Sequence, residues 1–333
     1  MRARIVLSVI LVLAVCYALV RGREQPAGRA SEDARAGTAA EEAGEAARIS
    51  RFEVARSATT FDLGESSELI VANPFGDVEV VAGGPEVRVE TVTYALGRDM
   101  EEARRRARAL GVSEGPDGAG GHEIIVQGET SNSSVRMDLA IAPPAEAALK
   151  VRRVMGKTRV VGLKGPIEIR GESGEISVES IDGSVTVEST SGDIGVRAAR
   201  GGVDVHTGGG DVSLESIRGP VLARTMNGNI RLGEAASDRI TATTRSGDVE
   251  IRLSEPFSGE MEARTQSGHI VIALSAGSNC RVRTATGSGE ISSALPLRAV
   301  SHQGRNISGR LGAGEGAVEV TTGSGDIRLV AVD

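Results

Sequence analysis

The phrase Ser189-Thr190-Ser191-Gly192-Asp193-Ile194 returns as Thr207-Gly208-Gly209-Gly210-Asp211-Val212 and again as Thr225-Met226-Asn227-Gly228-Asn229-Ile230. Looser copies follow at Thr244…Gly247-Asp248-Val249, Thr265…Gly268-His269-Ile270, Thr286…Gly289-Glu290-Ile291 and Thr322…Gly325-Asp326-Ile327. The glycines stand at Gly174, Gly192, Gly210, Gly228, Gly247, Gly268, Gly289 and Gly325, in steps of 18, 18, 18, 19, 21, 21 and 36. The last step reads as two coils, with a degenerate copy at Ser308-Gly309-Arg310-Leu311 between them. A period of this size held over so many copies is the mark of a stacked solenoid.

One coil shows how the stack is built. Val185 and Val187 alternate with Ser184, Thr186 and Glu188, which is the period-two pattern of a half-buried strand. Ser191-Gly192-Asp193 makes the corner, where glycine takes backbone angles that other residues resist. Ile194 and Val196 then begin a second strand. The same inward slots recur at Val203, Val205, Val212 and Leu214, at Val221, Ala223, Ile230 and Leu232, and onward to Val318, Val320, Ile327 and Leu329. In-register stacking would place Ser189, Thr207, Thr225, Thr244, Thr265, Thr286 and Thr322 in one hydroxyl ladder. Antiparallel hairpins explain the alternation equally well, but not a corner fixed at intervals of about 20 residues. The expectation is an all-β fold: a parallel β-solenoid of 18–21-residue coils. Eight or nine such coils at the ~4.8 Å strand spacing make a rod roughly 40 Å long.

Four segments are expected. Residues 1–23 read as a membrane anchor or signal segment, because two arginines precede an unbroken apolar run from Ile5 to Val20 and Arg21 and Arg23 close it. Sixteen residues of helix span about 24 Å, between a signal-peptide core and a full membrane crossing. Residues 24–48 are Ala, Gly, Glu and Arg with almost no large aliphatic, which is a flexible linker. Residues 49–165 form a β lead-in that caps the solenoid, and 166–333 are the regular repeats.

Within the lead-in, Phe52–Val54, Leu69–Val71, Val78–Val80, residues 86–94, Glu123–Gln127 and Val135–Ala142 are strand candidates, and Gly115–Gly121 is a turn-rich loop. Asp99 to Leu110 breaks the pattern as a short helix with acids early and arginines late, as the macrodipole prefers. Its Arg104, Arg105, Arg106 and Arg108 read as a solvated face paired with Glu101 and Glu102, with an anion site as the sharper reading.

The repeated Gly-Asp-aliphatic corners, the upstream Asn73-Pro74-Phe75-Gly76-Asp77-Val78-Glu79-Val80 and the N-terminal apolar run resemble the bacterial putative-adhesin family of β-strand-repeat domains of unknown function. The likeness covers about 69 to 333. It implies a β-solenoid at the cell envelope and carries no catalytic signature. Asn229, His269 and Arg310 depart from its usual corner acid.

Composition narrows the function. A net charge of −7 argues against a nucleic-acid binder, which needs a basic face. Aromatics are 2% of the chain and Trp is absent, so the ring platforms of a sugar site are missing from the repeats, where Phe257 stands alone. Cys16 and Cys280 offer no disulfide framework, and Cys280 reads as a small buried hydrophobe. The corner acids Glu175, Asp193, Asp211, Asp248, Glu290 and Asp326 could stack carboxylates for Ca²⁺, but Asn229 and His269 interrupt them and an acid after glycine also bonds its own turn. His122, His206, His269 and His302 have no ligand spacing, and neither a nucleophile elbow nor a phosphate loop occurs.

Gly174, Gly192, Asp193, Gly210, Asp211, Gly228, Asn229, Gly247, Asp248, Gly268, Gly289, Gly325 and Asp326 are therefore read as a structural turn ladder, with no catalytic, cofactor or metal residues and no cofactor. The expected role is a non-catalytic cell-envelope solenoid acting as an adhesin-like or scaffold surface for a protein or glycan, held to the membrane by residues 5–20 with the repeats outside the cytoplasm. The alternatives are an extracytoplasmic sensor or regulatory partner of a membrane protein and, further off, a glycan-active β-helix enzyme. The strand from Val318 to Asp333 shows no cap, which leaves end-to-end self-association open.

Overall fold

Alternating β-branched and polar residues set the strands, and glycine-bearing corners end them. The computed structural model describes residues 49–64, 67–118, 120–128, 134–253 and 255–332; the expected membrane segment and linker at 1–48 lie outside them. Among the described residues no helix is long and apolar enough to cross a membrane. They are all-β apart from one short helix, in two long and mostly parallel sheets consistent with a solenoid.

The lead-in holds β1 (Ser50–Phe61), β2 (Glu68–Ala72), β3 (Val78–Val81), β4 (Val87–Gly97), helix α1 (Met100–Ala107), β5 (Leu110–Pro116), β6 (His122–Gly128), β7 (Val135–Ala142), β8 (Ala148–Val154) and β9 (Thr158–Val161). The expected loop at 115–121 is shorter than read, because β5 runs through Pro116 and pairs antiparallel with β6.

From there the strands alternate between sheets. β11 (Ile176–Ile181), β13 (Ile194–Ala199), β15 (Val212–Glu215), β17 (Ile230–Gly233), β19 (Val249–Leu253) and β21 (Ile270–Ser275) continue the first sheet. β10 (Ile167–Gly171), β12 (Val185–Ser189), β14 (Val203–Gly209), β16 (Val221–Asn227), β18 (Arg239–Ser246) and β20 (Glu260–Ser267) continue the second. Val185 pairs with Val203, Val203 with Val221 and Val221 with Ile240, so the repeat step in the sequence is the pairing step in space. The near-165 boundary is a change of regularity only, since β10 pairs with β8 and β11 with β9 across it. The 13 strands of the first sheet extend over roughly 60 Å at the usual spacing. That exceeds the length counted from the repeats because the lead-in strands share the same sheets.

Chain order and stack order part company at the far end. β22 (Cys280–Ser288) and β23 (Ile291–Ser293) do not pack on β20 and β21; β26 (Gly316–Ser324) and β27 (Ile327–Val332) do. Val318 pairs with Met261 on one side and Val282 on the other, and Ile327 lies likewise between Ile270 and Ile291. Two expectations are thereby corrected. Ser308–Leu311 is no degenerate coil; it lies in β25 (Asn306–Leu311), which runs antiparallel to β22 and to β24 (Arg298–Gln303) as a closing hairpin. The strand at 318–332 is not the last layer of the stack either: β26 is paired on both sides along its length, and β27 on both sides at Ile327–Leu329. The near end mirrors this device: β2 and β3 sit between β8 and β9 on one side and β6 and β7 on the other, although β6 and β7 follow them in the chain.

The outer edges are blunted. β23 has three residues, β24 is exposed throughout, and β1 carries Arg51, Glu53 and Arg56 beside a register shift. Short, charged or bulged edges resist pairing with other chains.

The core is a set of aliphatic columns. Ile176, Ile194, Val212, Ile230, Val249, Ile270 and Ile327 are all buried one above another, as are Ile167, Val185, Val203, Val221, Ile240, Met261 and Val318. A further column, Ile181, Ala199, Ile217 and Ala235, was not anticipated. It breaks the period of two because the residue before each, Ser180, Ala198, Ser216 and Glu234, is left-handed with φ of 58°, 56°, 56° and 51°, which turns the next side chain inward. Thr158, in a core slot between Val78 and Ile176, has a buried hydroxyl with no partner among the described residues.

Candidate functional site

Two places combine polar groups with defined geometry: the line of glycine corners and the open end of the stack beside α1.

At the corners the chain turns from the second sheet to the first, and consecutive turns come so close that only glycine fits. A Cβ on Gly192 would lie 2.1 Å from the carbonyl oxygen of Gly174, one on Gly210 2.3 Å from that of Gly192, and one on Gly228 2.0 Å from that of Gly210. Their φ values of 114°, 130° and 156° are also left-handed. The contacts continue through Gly247 and Gly268 to Gly325 and only then to Gly289, repeating the stack order of the strands.

The residue after each glycine is a hydrogen-bond acceptor for the next corner. Asp193 Oδ1 accepts from the backbone N–H of Asp211 at 2.8 Å, Asp211 Oδ1 from Asn229 at 2.8 Å, and Asn229 Oδ1 from Asp248 at 2.8 Å. Asp248 Oδ1 accepts from His269 at 2.7 Å, His269 Nδ1 from Asp326 at 3.0 Å, and Asp326 Oδ1 from Glu290 at 2.9 Å. Asn229 and His269 are thus members of the ladder and not interruptions of it: each supplies an acceptor two bonds from Cβ, as Asp does. By accepting at Nδ1, His269 is placed as the tautomer protonated at Nε2. Glu290 occupies the last level and has no further corner to receive. Toward the near end, Lys157 and Glu175 follow Asp77, whose Oδ1 accepts from Lys157 N–H at 2.7 Å, and they pair with each other at 3.3 Å. The Asp211 carboxyl is held below its ordinary value chiefly by the Asn229 backbone N–H, with Arg231 at 3.3 Å adding to it.

Beneath the corners lies the hydroxyl ladder, and it is buried. Thr225 donates to the carbonyl oxygen of Gly210 at 3.2 Å, Thr244 to Gly228 at 3.0 Å, Thr265 to Gly247 at 2.9 Å, Thr322 to Gly268 at 3.0 Å and Thr286 to Gly325 at 2.9 Å. Thr207 and Ser189 bond inside their own turns at 3.1 and 2.9 Å. Chemically, then, the corner groups are engaged with backbone. Among the described residues no three His, Cys, Asp or Glu side chains gather as a metal ion would need. The histidines do not meet: His122 is stacked on Phe61 at 3.9 Å, His206 lies on the exposed face of β14, His269 is in the corner ladder and His302 lies on β24. Cys280 is buried on β22, and burial pushes its thiol up to about 11.

The second place was missed as a cavity by the sequence reading. At the near end the first sheet is extended by β4 and β1 and the second by β6 and β5, and the sheets flank a half-open cavity of about 590 Å³ with α1 on its rim. Val54, Val89, Leu110, Ile124 and Met137 supply apolar wall, and Thr91 and Thr93 occupy inward slots that hold aliphatics elsewhere. Thr91 shares a hydrogen bond with Ser57 at 2.7 Å. α1 starts cleanly because the Asp99 side chain accepts from Glu102 N–H at 2.7 Å while Glu102 accepts from Arg98 N–H at 2.9 Å. The expected pairing of its arginines with its acids holds for Arg106, 2.8 Å from Glu102, whose other partner is Arg98 at 3.1 Å. It fails for Arg104 and Arg108: spaced four apart, they share one face of the helix, line the cavity, and among the described residues have no carboxylate at ion-pair distance. The signal was in the spacing, since Arg104, Ala107 and Arg108 fall on one face; what filled the opposite wall was not.

The parallel repeats define a β-strand-repeat domain with structural glycine corners. Residues 167–330 match the Toastrack DUF4097 family, so the chain carries a Toastrack DUF4097 domain, a domain of unknown function, as its resemblance implied. Solved structures similar to it include a putative adhesin from Bacteroides fragilis, 12% identical, covering 83% of this chain and 97% of that one with a TM-score of 0.43. A putative lipid binding protein from Parabacteroides distasonis is 10% identical over 83% of this chain and 96% of that one, with a TM-score of 0.33. A putative adhesin from the same species is 9% identical over 83% and 97%, with a TM-score of 0.34. At such scores the likeness bears on neither site nor ligand. A search of the curated proteins finds no match.

Proposed function

We propose that this is a non-catalytic binding protein of the cell envelope, a parallel β-solenoid of 18–21-residue coils whose faces act as an adhesive or scaffold surface, tethered through the apolar run at residues 5–20. The observation that supports it is the way polar groups on the repeats are used. Corner acceptors hold backbone N–H groups, and outward charges pair with the neighbouring coil: Arg197 with Glu215 at 2.9 Å, Arg170 with Glu188 at 3.3 Å, Arg239 with Glu260 at 3.6 Å and Arg283 with Glu319 at 3.7 Å. Such a surface is rigid and repetitive, and its acids and bases do not converge on one point as acid–base catalysis requires.

The test is protease treatment of intact cells carrying the protein, followed by fractionation and a crosslinking pull-down. Cleavage of the repeats from outside, with the N-terminal fragment left in the membrane fraction and an envelope glycan or surface protein crosslinked to the repeats, is the expected result. Recovery of the intact chain in the soluble cytoplasm would end this reading. Crosslinking to an integral membrane regulator would replace it with the sensor reading.

A further inference from the structure

We propose that the cavity at the near end of the stack binds a single-chain amphiphile with an anionic head group. This stands on the cavity and its rim and does not rest on the envelope placement.

At about 590 Å³ the cavity falls within the ~300–1,000 Å³ of small-molecule sites. Along the repeats the two sheets fill most of the space between them with aliphatic columns. Here the lining changes: β4 and β1 bring the hydroxyls of Thr91, Thr93 and Ser57, β5 brings Gly111, and the space between the sheets is left open. The remaining wall of Val54, Val89, Leu110, Ile124 and Met137 is apolar, and such a surface favours a hydrocarbon over water by roughly 25 cal/mol per Å² covered.

The head group follows from the charges at the rim. Arg104 and Arg108 project from the same face of α1, and no carboxylate of the described residues compensates either. Two guanidinium groups one helical turn apart can both donate to a carboxylate, sulfate or phosphate. Glu114 also lines the cavity, but it lies four residues along β5 from Leu110, about 13 Å away at the rise of a strand. It is occupied there by the Thr59 hydroxyl at 3.2 Å and stands 3.6 Å from His122 Nε2. The tail would therefore run from the arginines toward Ile124 and Met137, with the acid at the far rim.

Photolabelling of the full chain tests this. The probes are dodecanoate and dodecyltrimethylammonium, each with a diazirine in the chain, and labelled peptides are mapped by mass spectrometry. The dodecanoate probe is expected to label peptides containing residues 54–59, 89–93, 107–112, 124 and 137 saturably, with unlabelled dodecanoate competing and the ammonium probe at least tenfold weaker. The double variant Arg104→Glu/Arg108→Glu is expected to reverse that preference. The neutral Arg104→Gln/Arg108→Gln pair should lower dodecanoate labelling at least tenfold while leaving the melting curve unchanged, since both side chains are exposed. Unsaturable labelling spread over the sheets or residues 5–20, equal labelling by both probes, or labelling indifferent to the glutamine pair would each overturn the proposal.

Discussion

The middle of the molecule and its two ends obey different rules. Between Ile167 and Ser275 each strand pairs with the strand one repeat later, so distance along the chain and distance along the stack are the same quantity. At the ends they differ. The coil at 316–332 enters between two coils that precede it, and the coil at 68–81 lies between two that follow it. The corner geometry is the same in these regions, since a Cβ on Gly325 would lie 2.1 Å from the carbonyl oxygen of Gly268 and one on Gly268 2.0 Å from that of Gly247. What changes is what a terminal coil can gain. A coil stacked last in a growing series leaves one whole side of its backbone unpaired, whereas one inserted between two others satisfies both.

Removing the inserted coil should have the largest effect. Deleting residues 316–332 from a Cys16→Ser background is expected to free β22 to β25 from the rest of the stack, whereas in a stack ordered by sequence it would shave off only the last layer. Iodoacetamide labelling at pH 8 reads the difference. Cys280, whose burial raises its thiol to about 11, should resist labelling in the longer chain and react readily in the deleted one. The raised value means burial favours the neutral thiol; this stabilisation is present below the unfolded thiol's ordinary value of 9.0 and is lost as pH rises through about 11.

Within the middle, Ile194→Asp places a charge in a slot that is 1% exposed and should lower stability by more than about 4 kcal/mol in a urea titration. Gly210→Ala forces a Cβ to within 2.3 Å of the Gly192 carbonyl oxygen at a left-handed φ, with an expected loss of about 3 kcal/mol by the same measurement. Asp248→Ala removes the acceptor of the His269 N–H and should lose about 1 kcal/mol, while Asp248→Asn keeps an oxygen there and should lose less than half of that. A ladder that worked through charge instead of through acceptor geometry would show the two substitutions to be equal. The smallest effect has the opposite sign. Ala198→Gly relieves a left-handed alanine at φ 56° and should raise stability by about 0.5 kcal/mol, sharpening the assignment of that column.

Much of the regular region was legible because its two requirements are local. Val185, Val187, Ile194 and Val196 announce inward slots by alternation, and Gly192-Asp193 announces a corner by residue type. Ile181, Ala199, Ile217 and Ala235 were missed because their signal is a change of parity after a left-handed residue, and serine or alanine there gives no warning of that angle. The corner acceptors were read as acids with gaps at Asn229 and His269, since composition displays charge and hides which lone pair faces which N–H. The cavity was harder still. The arginines on α1 could be placed on one helix face, but the wall they look toward comes from β1, β4, β5, β6 and β7, spread over residues 54–137 and brought together by antiparallel pairing.

By itself the sequence determined an all-β chain, the spacing of its coils, the identity of its corners and the side of each strand that turns inward, because each follows from neighbours a few bonds apart. Only the tertiary structure decided the order of the coils at the ends, the sharing of backbone donors between corners and the unfilled space beside α1. Those depend on which backbone groups would otherwise go unpaired, a balance that exists only once every strand has found both of its partners.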